Sequence, residues 1–440
     1  MECTLAGRSV SAMFIVNLIN KASAYLDKDR KSDKLKPLMN KLHEDWLMIQ
    51  PMFDALTANQ VESFGYLDMW RLRDAIEKLE DAIDEHEYYK LREKANDQQE
   101  VSELGSCFSK MKQVVTSFLT HSGSSLEKLR KAIKDLGRST ARLLEQTNYT
   151  HVLRQDCETS FSPVMLNKMF GRHEEMDMIV QWLIKPLDGN AETQDLSWSP
   201  LGTKVAALHL RYNLTPEYWC KFLQDIDNFR ATTTRDIAVL KISYYSLLPE
   251  LQVCFRYCSI FRKNHPFRKE ELVQTWISSG LISAQFRGEK KENLGELYLA
   301  RLTAKSFFDR FGGEDDEPAY YVMNDMMYDL AKCVSRGECA RLVDSADFRH
   351  VNSSVRHINI AGINNFTVGD VKELLRLKKL RTIIVEDCGH VQKEVVSAMA
   401  KVVKNSKSLR LLECSLFKRW HFPDGLSGLK HLRYVKISEL

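Results

Sequence analysis

The chain has 440 residues, enough for about three domains at roughly 100–200 residues each. Hydrophobic residues make up 44% and charged residues 28%, with 10 Pro and 19 Gly, which excludes a collagen-like, Pro-rich or mostly disordered chain. The formal net charge of +4 is too small for a dedicated nucleic-acid binder. Ten cysteines without a CxxC pair suit reduced cytosolic thiols better than disulfides or structural zinc.

The first apolar stretch, Ser9 to Asn20, is too polar for a signal peptide because Glu2, Asn17 and Asn20 interrupt the pattern. Phe14, Ile15, Leu18, Ile19, Ala22, Tyr25 and Leu26 instead recur at helical spacing. No stretch reaches the roughly 18 apolar residues that an integral membrane segment needs. Pro37 suits the first turn of a second helix through Leu38, Leu42, Trp46, Ile49 and Phe53. In a third, from Trp70 to Leu91, Leu72, Ile76, Leu79, Ile83 and His86 form one apolar stripe, with Glu80, Asp81, Asp84 and Glu85 beside it. Leu126 to Leu144 supplies a fourth, so residues 1–150 read as an antiparallel four-helix bundle.

Residues 151–169 read as a linker, polar up to Pro163. Within 170–247, Glu174 to Ile184 reads as a short helix, Lys185 to Ser199 as irregular, and Thr203 to Gln224 and Arg235 to Tyr245 as further helices. Residues 248–345 follow with helices around Cys254 and Glu271, a third near Leu294 to Ala304, and two aromatic runs. These runs, Phe307 to Phe311 and Tyr320 to Met323, flank a Gly- and Asp-rich turn, which makes a hairpin. Helices followed by a hairpin suggest a winged helix.

Residues 346–440 repeat. Val355, Ile358 and Ile360 share their spacing with Leu380, Ile383 and Val385, with Leu409, Leu412 and Cys414, and with Leu432, Val435 and Ile437. Successive triplets lie roughly 20–29 residues apart, the leucine-rich-repeat period. The last triplet ends close to Leu440, so an uncapped final layer is expected. The fold class expected is mainly α and multidomain: bundle, helical and winged-helix segments, and an α/β solenoid fragment.

Several segments together resemble plant coiled-coil NLR disease resistance proteins. Glu80-Asp81-Ala82-Ile83-Asp84-Glu85 resembles the acidic motif of that family's N-terminal bundle, and Phe170-Gly171-Arg172 resembles the start of its nucleotide-binding NB-ARC module. Leu248-Pro249, Cys254-Phe255-Arg256-Tyr257-Cys258-Ser259-Ile260-Phe261, Trp276-Ile277 and Gly280-Leu281-Ile282 resemble its winged-helix signature. Met323-Asn324-Asp325 resembles its Met-His-Asp motif.

One departure is large. No segment matches GxxxxGK[ST], and the stretch Lys185 to Ser199 is too short for the βαβ units, about 30 residues each, that would carry a phosphate loop and magnesium-binding acids. Pro200 and Leu201 resemble the end of a motif whose proline lies near adenine. Asn324 stands where the family has a histidine that touches phosphate. The resemblance therefore implies degenerate ADP contacts at Pro200, Asn324 and Asp325; the residues alone suit Asn324 and Asp325 better as a cap on the helix that continues through Leu330.

Arg356, Arg381, Arg410 and Arg433 each follow the first residue of a triplet. Stacked about 4.8 Å apart, they form a ladder of like charge that is either solvated or matched by acids. The resemblance implies the second, an intramolecular contact of the bundle on the repeats through Glu80, Asp81, Ile83 and Asp84. Two functions follow. One is a cytoplasmic defence protein, or one peripheral at the plasma membrane, without enzymatic activity or cofactor. It would be a truncated receptor or regulator that binds other proteins, such as full-length NLR receptors or pathogen effectors. The other is an ADP/ATP-binding switch. Nucleic acid is not an expected partner, because Lys269 to Trp276 carries Glu270 and Glu271 and no basic cluster.

Overall fold

The computed structural model describes residues 12–26, 36–55, 66–100, 124–144, 200–210, 218, 222, 226, 235–282, 290–312, 318–386, 391–416 and 426–439. The expected linker at 151–169, the Phe170-Gly171-Arg172 segment, the helix Glu174 to Ile184 and the stretch Lys185 to Ser199 lie outside them. The chain is mostly helical, with a small antiparallel sheet and a parallel sheet. Among the described residues, no helix is long and apolar enough to cross a membrane. The chain forms two compact units, each assembled from separate segments.

The first unit takes residues 1–153, 275–291 and 335–440. Its N-terminal helices are Ala12–Leu26, Lys36–Ala55, Tyr66–Glu100 and residues 124–144. Their apolar stripes meet in one core: Ile15, Ile19 and Ala22 from the first, Leu42 and Trp46 from the second, Leu72, Ile76, Leu79 and Ile83 from the third, Leu129, Ile133 and Leu136 from the fourth. Each fully buried Leu or Ile contributes about 1.5–3 kcal/mol, so the core and not intrinsic propensity holds these helices. Pro37 lies in the first turn of its helix, where the missing N–H costs no hydrogen bond.

Among its described residues the same unit holds five parallel strands in chain order: β4 (Cys339–Leu342), β5 (His357–Ala361), β6 (Thr382–Glu386), β7 (Leu411–Leu416) and β8 (Tyr434–Glu439). The repeating residues stand in register, Ile358 beside Ile383, Leu412 and Val435, and Ile360 beside Val385, Cys414 and Ile437. Helices Val368–Glu373 and Lys393–Asn405 cross between strands and bury Val371, Val395, Met399 and Val402 against them. The sheet begins at Cys339, ahead of the expected boundary at 346. Here Ala340 and Leu342 occupy the columns of the triplets, with a shorter interval and a small residue that hid the strand from the repeat pattern.

The second unit takes residues 154–274 and 292–334. The helix expected from Thr203 starts at Pro200 and runs to Leu210, with proline in its first turn. Helix Arg235–Tyr245 precedes helix Pro249–Tyr257, which with the 3-10 turn Cys258–Ile260 carries the Cys254 to Phe261 signature into the core: Cys254, Phe255 and Ile260 are fully buried. Phe255 packs edge-on against Phe307 at 4.9 Å, and Phe267 against Phe261 and Phe308 at 5.1 and 5.9 Å. The aromatic runs form β2 (Asp309–Phe311) and β3 (Tyr320–Val322), an antiparallel pair joined by β1 (Phe267–Arg268). Helix Asp325–Val334 closes this winged-helix order.

Candidate functional site

A backbone ladder runs just ahead of strands β5 to β8. Arg356 N–H donates to Glu338 O at 2.8 Å, Arg381 N–H to Arg356 O at 2.7 Å, Arg410 N–H to Arg381 O and Arg433 N–H to Arg410 O, both at 2.8 Å. The four arginines thus stand one strand apart, about 4.8 Å. Helix Tyr66–Glu100 places acids at Asp74, Glu77, the adjacent pair Glu80 and Asp81, and Asp84, so that successive acidic positions lie three or four residues apart. At 1.5 Å rise per residue that interval is about 5 Å, so an acidic helix face and a rung of strands share nearly one period.

The side chains pair along this match. Glu77 lies 2.5 Å from Arg356 Nε, and Asp74 3.3 Å from Arg356 Nη2. Arg381 meets Glu80 at 2.9 Å and Asp81 at 3.3 Å. Arg410 meets Glu80 at 2.8 Å, Asp81 at 3.0 Å and Asp84 at 3.2 Å, and Arg433 pairs with Asp84. Glu80 therefore spans two rungs, one carboxylate oxygen on each arginine. Ile83 does not join them; it is buried in the helical core, one face away.

Burial grades this contact. Arg410 and Arg356 are 0% and 1% exposed and Arg381 8%, whereas Arg433 at the last rung is exposed. Burial by itself raises the Glu80 carboxyl, but Arg410 and Arg381 overcome it and lower the group to about 2. Desolvation likewise opposes the charged form of the partly buried Glu77, and Arg356, Arg381 and Arg73 hold it below the usual carboxylate range. Burial also opposes the charged form of Glu85, and hydrogen bonds from Lys128 and Lys430 bring it down. Like charges on neighbouring rungs are thus each neutralised by a nearby acid, which is the arrangement that makes stacked arginines tolerable.

Sequence reasoning missed several members. Arg73 pairs with Glu338, Lys379 with Asp74, and Lys430 with Glu85 at 2.6 Å; Ser408 Oγ donates to Asp81 at 3.0 Å. Asp74 and Glu77 continue the helical interval upstream of Glu80, a signal present in the sequence. Glu338 takes the rung before Arg356, where the ladder reverses sign. Among the described residues, Asp81, Asp84 and His431 bring ligand atoms within 4.8 Å of one another, but Arg410 already engages both aspartates and disfavours a cation there.

The residues that the resemblance sets near a nucleotide lie in the second unit. Pro200 is exposed at the first position of its helix. Asn324 caps helix Asp325–Val334, its Oδ1 accepting from Met327 N–H at 3.0 Å, and Asp325 accepts from Asn264 Nδ2 at 3.2 Å.

Residues 260–331 match the family model for the disease resistance protein winged helix domain. Over 243 residues the chain is 35% identical to a putative disease resistance protein of Arabidopsis thaliana, covering 54% of this chain and 16% of that protein. It is 26% identical over 246 residues to the putative disease resistance RPP13-like protein 1 of the same plant, covering 54% and 22%. A putative disease resistance protein RGA1 of Solanum bulbocastanum is 23% identical over 298 residues, covering 67% and 26%. The chain spans about a quarter or less of the length of these relatives.

Proposed function

We propose that this relative of plant disease resistance proteins, homologous to them over about half its length, is a defence-response protein of the NLR class. In this reading it works through contacts with other proteins and performs no chemistry of its own. Residues 1–150 act as a four-helix bundle and residues 346–440, extended back to Cys339, as leucine-rich repeats. The observation that carries the reading is the acidic helix lying along the arginine ladder, with Glu80 shared by Arg381 and Arg410. Such a contact holds two parts of one chain together through many pairs that can be released together.

The sequence supports a protein without a working nucleotide switch, because no GxxxxGK[ST] loop is present to cradle phosphates. Full-length receptors of the same class and pathogen effectors are the partners this reading assigns, in the cytoplasm or at the inner face of the plasma membrane.

The test is charge reversal in the whole chain. Changing Glu80, Asp81 and Asp84 together to lysine is expected to free the acidic helix, read as loss of amide-exchange protection over residues 71–92. Adding Arg381→Glu and Arg410→Glu is expected to restore part of it. Co-precipitation with an intact NLR receptor from the same plant is expected to change when the helix is freed. Unchanged protection in the reversed chain, or a released helix that alters no partner binding, would sink the reading.

A further inference from the structure

The winged-helix signature ends in a turn at the centre of the ladder. Helix Lys269–Ser278 closes with Gly280 N–H donating to Ile277 O at 3.0 Å and Leu281 N–H to Trp276 O at 2.9 Å, a Schellman turn with Gly280 at φ +81°. The positive φ alone favours glycine there. A second constraint is steric: a Cβ on Gly280 would overlap Arg410 Nη1 and lie 3.5 Å from Glu80 Oε1. The adjacent Ser279, 0% exposed, sets its Oγ 3.0 Å from Thr382 Oγ1, the residue after Arg381. Trp276 and Ile282 on either side of the turn are also buried.

Arg410 is therefore enclosed on two sides, by Glu80, Asp81 and Asp84 on one and by the glycine backbone on the other. Ion pairs open to water are weak and screened by salt, whereas enclosed pairs are screened much less. We infer that the turn Ser278 to Ile282 is a gate on the ladder: seated, it keeps water and salt from the Arg410 rung and makes the helix–repeat contact persistent. Lifted, it turns the same pairs into exposed ones that separate readily. The contact then depends on the position of a winged-helix residue as well as on the two partners. This inference rests on the contact proposed above, and deepens it by naming what controls it.

The gate is tested in the full chain by amide exchange over residues 71–92 at about 0.05 M and 0.5 M NaCl, salt concentrations that bracket the Debye lengths of interest. The native chain is expected to keep nearly the same protection at both. Gly280→Ala is expected to lose at least about tenfold more protection at the higher salt, as exposed pairs do. Gly312→Ala is the control: Gly312 has φ +70°, but the nearest atom to its added Cβ is Pro318 O at 3.4 Å, so it carries the backbone strain without touching the ladder. Its salt response is expected to stay native. Adding Arg410→Lys to Gly280→Ala keeps the charge but removes the guanidinium nitrogen that the Cβ would overlap, and is expected to recover protection.

A flat salt response in Gly280→Ala overturns the gate. So does a Gly280→Ala chain that fails to fold and is not improved by Arg410→Lys. The reversal of Glu80, Asp81 and Asp84 keeps the two ideas apart. If it leaves protection unchanged, the ladder itself carries nothing; a ladder that breaks on reversal yet ignores Gly280→Ala removes only the gate.

Discussion

Arg410 Nη1 and Glu80 Oε1 lie 2.8 Å apart, and the other oxygen of Glu80 lies 2.9 Å from Arg381. One carboxylate thus ties two strands of the sheet to one helix. Removing Arg410 leaves Glu80, Asp81 and Asp84 clustered with one fewer cation, whereas removing Arg433 touches an exposed rung that Arg410 still serves at Asp84. Arg410→Ala is expected to destabilise the first unit by about 3–5 kcal/mol, as breaking a buried pair does. Arg433→Ala should cost about 0–1 kcal/mol, as for a surface pair. Denaturant unfolding followed by tryptophan fluorescence measures both. Equal losses would show that enclosure of the rung adds nothing.

The periodic parts of this arrangement were legible because they repeat. The 3.6-residue stripe Leu72, Ile76, Leu79, Ile83 and the triplets around Ile358, Ile383 and Leu412 each report one buried face many times over. The arginines were visible for the same reason, being locked to the triplets. That the acids meet the arginines was implied by the family resemblance alone, since pairing across some 300 residues leaves no local pattern; Arg381 and Glu80 are 301 positions apart. Glu338 escaped because it breaks the arginine rule, and Gly280 because a positive φ explains glycine fully until its neighbour in space is known.

Acid should open the ladder in a defined window. The folded value of Glu80, about 2, lies below its ordinary 4.5, because Arg410 and Arg381 outweigh the burial that would raise it. The unfolded chain therefore binds the proton first, so the stability from this group is complete above about pH 4.5 and is lost as pH falls towards 2. Glu77 shifts in the same direction and adds to the loss. Protection of residues 71–92 should fall between pH 4.5 and 3, and Glu80→Gln should lower the starting stability while flattening that slope. A slope identical in native and variant chains would contradict the assignment.

A second acid response belongs to the other unit at higher pH. His209 is partly buried, 5.2 Å from the ring of Phe222, and its Nε2 is 2.9 Å from Tyr218 Oη. Burial first, and Lys305 second, lower its value from 6.5 to about 4. The unfolded chain takes up the proton sooner, so stability is complete above about pH 6.5 and is lost as pH falls through 4. His209→Gln keeps a polar side chain but cannot titrate, and should reduce the pH dependence of unfolding of the second unit between pH 6.5 and 4.5. If the variant retains the full dependence, another group is responsible.

Asn324 separates a structural from a nucleotide role. Its Oδ1 accepts the Met327 N–H at 3.0 Å, and Asp325 in the first turn adds a negative charge where the helix dipole favours one. An N-cap worth about 0.5–2 kcal/mol predicts that Asn324→Ala lowers winged-helix stability by that amount, and that Asn324→Ser, another good cap, restores most of it. A phosphate contact makes a different demand. It would be strengthened by Asn324→His, whose imidazolium can carry charge, although histidine is the poorer cap. Calorimetric titration with ADP is expected to show no saturable binding to the native chain or to Asn324→His, together with a loss of thermal stability in the latter. Saturable ADP binding that strengthens with Asn324→His would reverse this order of roles, making the residue a nucleotide ligand that happens to cap a helix.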